Sequence, residues 1–171
     1  MENNNKSETT KFNSLYKDVF TEVSNELKLK EHTERFKKKQ ITYLEKLDLF
    51  FHKKCSTEFE WIDKNTLLTN GEMKAKDGIS NNDFETRTKA LNDCIKKHDT
   101  GLTTPIVDFE TEFNTFNTEV SKGISECFKL SNDTQRKECI KNTVTHSTTK
   151  LFEIYTKYEK IFEEMNNNIT L

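Results

Sequence analysis

Apolar residues recur along the chain at three- and four-residue steps, and five stretches keep that rhythm long enough to define amphipathic helices. In the first, from about Lys11 to Lys28, Phe12, Leu15, Tyr16, Val19, Phe20, Val23 and Leu27 share one face. In the second, from about Thr33 to Asp63, the face is Phe36, Leu44, Leu47, Phe51, Cys55, Phe59 and Ile62. Thr33 is placed to cap it. The third is short, about Phe84 to Lys97, and turns Phe84, Leu91 and Ile95 inward. Asp83 precedes it as N-cap and Asp99-Thr100-Gly101 ends it. The fourth is the most regular. Thr104 caps it, Pro105 takes the first position, where a missing N–H costs nothing, and Ile106, Phe109, Phe113, Phe116, Val120, Ile124 and Cys127 follow in step. The fifth, about Gln135 to Met165, carries Ile140, Val144, Leu151, Ile154, Tyr155, Tyr158, Ile161 and Phe162.

Between these stretches lie turn signals. Asn70-Gly71, Asp77-Gly78 and Asn81-Asn82 make Asn65 to Asn82 the longest connection, and Ser131-Asn132-Asp133-Thr134 makes a tight one. The pattern predicts an all-α fold, an elongated antiparallel bundle of about five helices. Helices two and three form one αα-hairpin, helices four and five a second, and the first helix precedes both. Residues 1–10 are expected to be disordered, residues 11–165 to form one domain and residues 166–171 to fray. The second hairpin partly echoes the first, with Asp93-Cys94-Ile95-Lys96 answered by Glu138-Cys139-Ile140-Lys141.

Composition sharpens this picture at three points. Only 4 Gly and 1 Pro occur in 171 residues, which leaves little turn chemistry for a mixed α/β fold. Apolar residues reach only 32%, yet 13 Phe, 4 Tyr and 1 Trp supply large buried areas, so a narrow core inside a wide polar shell is expected. A net charge of −2 gives no global field toward nucleic acid or anionic lipid. No stretch approaches the roughly 20 apolar residues of a membrane span, so the chain is expected to be soluble and not membrane-spanning. The polar start, with Glu2 and Glu8, lacks the look of a secretory signal or a mitochondrial presequence.

The four cysteines carry the pattern closest to chemistry. Cys127 and Cys139 lie equally far from Asp133, and Cys55 and Cys94 are centred close to the Met73–Lys74 region, the middle of the long connection. Residues equidistant from a hairpin turn face each other, so each pair is a disulfide candidate. Two other readings stand beside that one. All four cysteines suit buried thiols on apolar stripes. Alternatively His52, Cys55, Cys94 and His98 offer two imidazoles and two thiolates at helical spacing, a set that suits tetrahedral zinc.

The layout of Cys55, Cys94, Cys127 and Cys139 on helical hairpins, covering about residues 45 to 145, resembles the twin-cysteine proteins of the mitochondrial intermembrane space. The chain departs from that family in carrying single cysteines where the family has pairs. The resemblance implies import without a presequence, oxidation on arrival and residence in the intermembrane space. Without it, the cytoplasm is the expected location.

Little else suggests a reaction. The sequence holds no phosphate-cradling glycine loop, no His-Glu-x-x-His and no nucleophile elbow. His146 lies among Thr145, Ser147, Thr148 and Thr149 on a polar face. The basic run Lys28, Lys30, Arg35, Lys37, Lys38 and Lys39 is diluted by Glu26, Glu31 and Glu34 and reads as a solvated helix start. The expected function is therefore non-enzymatic, without cofactor. The chain reads as a helical interaction protein, a structural or accessory subunit whose partners are other protein subunits rather than nucleic acid. Phe50, Trp61, Phe128 and Phe152 lie off the main stripes and are the candidate partner contacts. The alternative is a carrier enclosing an apolar ligand in the bundle.

Overall fold

Amphipathic stripes with so few helix breakers leave the backbone one economical way to satisfy its polar groups, and the computed structural model, which describes residues 2–63 and 74–171, is all-α. Its helices are α1 (Glu2–Glu26), α2 (Leu29–Lys54), α3 (Asn81–His98), α4 (Thr104–Phe128) and α5 (Asp133–Asn168). The described residues hold no strand beyond one isolated antiparallel bridge, Ile62 with Ala75. That bridge is closed by Asp63 N–H donating to the Lys74 carbonyl at 2.8 Å and Lys76 N–H to the Trp61 carbonyl at 3.0 Å. The turn signal Asn70-Gly71 and the centre of the long connection at Met73 lie outside the described residues.

Helix ends differ from the sequence expectation in instructive ways. α1 starts at Glu2, within the stretch expected to be disordered, and α5 runs to Asn168, through the expected tail, with Ile169 buried just beyond it. α1 and α2 are separated by Lys28, which takes a left-handed backbone with φ of 53°. Thr33 lies inside α2, and its hydroxyl donates to the Leu29 carbonyl rather than capping the helix. α2 stops at Lys54, short of Asp63. Cys55 and Phe59 keep helical-turn hydrogen bonds, to Phe51 and Cys55 respectively, so the apolar rhythm continues past the helix. The cap of α3 is Ser80, whose hydroxyl accepts from Asp83 N–H at 3.2 Å and donates to the Asp83 carboxylate at 2.7 Å.

The chain divides into two compact units. The first comprises residues 1–36 and 107–158. Its core clusters Phe12, Val19 and Val23 of α1 with Cys127, Ile140 and Val144. Leu15, Tyr16, Leu27, Ile124 and Cys139 pack around that cluster. Further along, Phe36 stacks on Tyr155 and packs against Phe109, which meets Tyr158 edge-on. Phe20, expected to face inward, is 38% exposed. Four residues before Ser24, it lies at the edge of the buried stripe defined by Val19 and Val23.

The second unit comprises residues 37–106 and 159–171. Tyr43 is fully buried there and stacks on Phe162, while its hydroxyl donates to the Leu102 carbonyl. Leu47, Phe51, Leu91 and Trp61 are also buried, with Trp61 edge-on to Phe84. Asp99 ends α3 and turns its carboxylate to the start of α4, accepting from Thr103 N–H at 3.1 Å. Helix α4 therefore begins at Thr104 rather than after it.

Candidate functional site

Two antiparallel registers place the cysteines. In the first unit, Cys127 near the end of α4 and Cys139 in the second turn of α5 have Cα atoms 5.5 Å apart and sulfurs 2.06 Å apart. In the second unit, Cys55 follows α2 and meets Cys94 of α3, with Cα atoms 6.0 Å and sulfurs 2.07 Å apart. Both pairs thus stand at disulfide distance, in the pairing that equal spacing from the two turns suggested. Cys55 and Cys127 are fully buried, while Cys94 and Cys139 are half-buried. The Thr143 hydroxyl lies 3.6 Å from Cys127 Sγ.

In this pairing the Cys55 and Cys94 sulfurs engage each other and present no thiolate to a metal. The histidines are engaged elsewhere or stand apart. His52 stacks on Phe59 at 3.9 Å, with Nδ1 2.9 Å from the Asp48 carbonyl, and His98 is half-buried at the last position of α3.

The four candidate partner contacts separate on inspection. Trp61 is 3% exposed and belongs to the core, which corrects its reading as a surface residue. Phe50 is half-buried against Phe51, with Lys54 Nζ over its ring. Phe152 is half-buried beneath His32. Phe128 is the most open at 36% exposure, with its ring edge-on to Phe12 and the Arg136 guanidinium over it at 5.6 Å.

Phe128 also forms one end of a groove of about 530 Å³ between α1 and α4. Thr9, Phe12, Asn13 and Tyr16 line one wall, and Val120, Ser121, Ile124, Ser125 and Phe128 the other. None of these nine side chains is charged, in a sequence that is 33% charged. Sequence reasoning placed Phe12, Tyr16, Val120 and Ile124 on inward stripes and missed the groove. The available signal was Ser121 and Ser125, short polar residues one turn apart that leave space beside the apolar row.

A second cleft, about 440 Å³, lies between α4 and α5. It is lined by Gly123, Asn142, Thr143, His146 and Ser147 among others. The carboxylate of Glu119 and the ammonium of Lys150, which also line it, pair with each other. Next along these helices, Glu112 accepts from Lys157 Nζ at 2.6 Å and from the Tyr158 hydroxyl at 2.9 Å. The Lys157 hydrogen bond holds the Glu112 carboxyl below its usual range, and burial pushes the Tyr158 hydroxyl up. These contacts are ion pairs and a hydrogen bond between the side chains of α4 and α5, and the described residues contain no group of three or more potential metal ligands.

No family model, curated protein or solved structure matches this chain. Its chemistry therefore rests on its own geometry. Among the described residues, no helix is long and apolar enough to cross a membrane. The basic run at the start of α2 is partly neutralised within its own unit or helix. Lys30 pairs with Glu34, and Lys39 with Glu163.

Proposed function

We propose that this chain is a non-enzymatic helical interaction protein, a structural or accessory subunit of a larger assembly. It receives the apolar face of a partner helix in the groove between α1 and α4. One observation carries the proposal, the uncharged lining of that groove in a chain where a third of the residues are charged. An apolar stripe laid between Phe12, Tyr16, Ile124 and Phe128 loses water on both sides without stranding a charge. Cysteine pairs at bonding distance favour an oxidising compartment, and the intermembrane space is our proposal for it.

The test is Ser125→Glu, which sets a carboxylate in the groove wall at an exposed position. Circular dichroism should be unchanged. Sedimentation of the native assembly should show the variant released as free subunit. If Ser125→Glu remains assembled, the groove is not the docking site. The second reading is an apolar-ligand carrier, favoured by a groove volume within the ~300–1,000 Å³ range of small-molecule pockets. Native mass spectrometry distinguishes it, through a bound apolar molecule that Ser125→Glu expels.

A further inference from the structure

The two cysteine pairs are built alike but sit in different surroundings. Cys127 belongs to the core cluster of the first unit, with Phe12, Val19 and Val23 of α1, and the half-buried Cys139 packs against that cluster. Cys94 is half-buried as well, but it packs against the end of α2 in the second unit rather than against that apolar cluster. Its Sγ is 3.9 Å from the carbonyl oxygen of Lys54, the last residue of α2. Its partner Cys55 has no exposed surface. An incoming nucleophile thus reaches the pair through the Cys94 sulfur alone. The ends of both helices are basic there, with His52, Lys53 and Lys54 closing α2 and Lys96, Lys97 and His98 closing α3. All four lysines are exposed, and Asp93 is the acidic residue beside Cys94.

We infer that Cys94 is the preferred entry point for thiol–disulfide exchange with a small anionic thiol, one carrying carboxylates as glutathione does, and that Cys127–Cys139, whose accessible sulfur packs against apolar side chains, exchanges more slowly. The positive flank raises the local concentration of an anionic thiolate. In the exchange, the thiolate sulfur attacks Cys94 Sγ, a mixed disulfide forms there, and the Cys55–Cys94 bond breaks. The electron pair leaves on Cys55 Sγ, which takes a proton from solvent. A second thiolate attacking the mixed disulfide releases the small-molecule disulfide and leaves Cys94 reduced. Without it, Cys55, held beside Cys94, loses its proton and attacks Cys94 Sγ, which breaks the mixed disulfide, re-forms the original bond and expels the small thiol. This inference does not depend on the groove.

The experiment uses the oxidised full chain. It is exposed to reduced glutathione, quenched in acid over a time course and peptide-mapped. The expected adduct appears on Cys94 before any appears on Cys139. Cysteamine, a cationic thiol, should react more slowly at matched thiolate concentration. The double variant Lys54→Glu, Lys97→Glu should lower the glutathione rate several-fold and reverse that preference. An adduct on Cys55, or on Cys139 ahead of Cys94, would overturn the proposal. So would equal rates for the two thiols, or no exchange until the protein unfolds.

Discussion

Phe113 and Phe116 lie on the same sequence stripe but differ in burial. Phe116 is buried, whereas Phe113 is half-buried between Phe109 and Phe116. Deleting a buried Phe costs about 3–5 kcal/mol. Phe116→Ala should fall in that range, and Phe113→Ala should cost about half as much, since part of its ring is already in water. Chemical denaturation of both variants checks the order, and equal losses would place Phe113 deeper than its exposure indicates. At Gly123 two effects oppose each other. Alanine gains about 1 kcal/mol of helix propensity. Its Cβ, however, would stand 2.9 Å from Thr143 Cγ2, and a β-branched side chain has little rotamer freedom with which to withdraw. Overpacking costs about 1–3 kcal/mol, so Gly123→Ala should destabilise on balance. Adding Thr143→Ser removes the methyl, keeps the hydroxyl beside Cys127 and should restore stability. A stabilised single variant would mean that α4 and α5 separate freely there.

For the helices, much was legible in the sequence and the failures have identifiable causes. Period alone located all five helices, and symmetry about two turns paired four cysteines. It could not end α2, because Cys55, Phe59, Glu60 and Ile62 keep turn hydrogen bonds of helical type and the apolar rhythm runs on through them. Tyr43 was passed over because the stripe was read from Phe36 straight to Leu44, yet its ring is fully buried once its hydroxyl finds the Leu102 carbonyl. Trp61 looked exposed because its partner Phe84 lies on the far side of a long connection. The groove was invisible because period assigns residues to a face without saying whether that face is filled. The α4–α5 hairpin offers a direct test of its staple. A Cys127–Cys139 bond closes a loop of about 13 residues, worth at most roughly 3 kcal/mol in the chain-entropy model. Cys139→Ser in non-reducing buffer should lose up to that amount. Its melting temperature should respond to reductant only through Cys55–Cys94. An unchanged melting temperature for Cys139→Ser would show that α1 packing alone holds the hairpin.

Across the whole molecule, two oxygen sites make stability depend on pH in opposite directions. Glu112 accepts from Lys157 and Tyr158, and its folded carboxyl lies below the usual 4.5. A lowered carboxyl contributes stability above its unfolded value and loses it as pH falls through the folded one. Because the Lys157 and Glu112 side chains are 53% and 37% exposed, solvent screening limits that contribution to about 1 kcal/mol or less. Burial, with a smaller effect from the Asp99 charge, pushes the Tyr43 hydroxyl up to about 12. A raised phenol keeps its full contribution below the unfolded value near 10 and loses it as pH climbs to about 12. That loss amounts to roughly 2 kcal/mol. Stability measured by denaturant titration should therefore be level through the neutral range, fall gently below about pH 4.5 and steeply above about pH 10. Glu112→Gln should flatten the acid arm in part, since Glu22 and Glu126, which are also lowered, titrate with it. Tyr43→Phe should lower the neutral plateau by about 1 kcal/mol, through the orphaned Leu102 carbonyl, and flatten the alkaline arm. If its alkaline arm stays as steep as that of the parent protein, deprotonation of another tyrosine, Tyr16 or Tyr158, drives the alkaline loss.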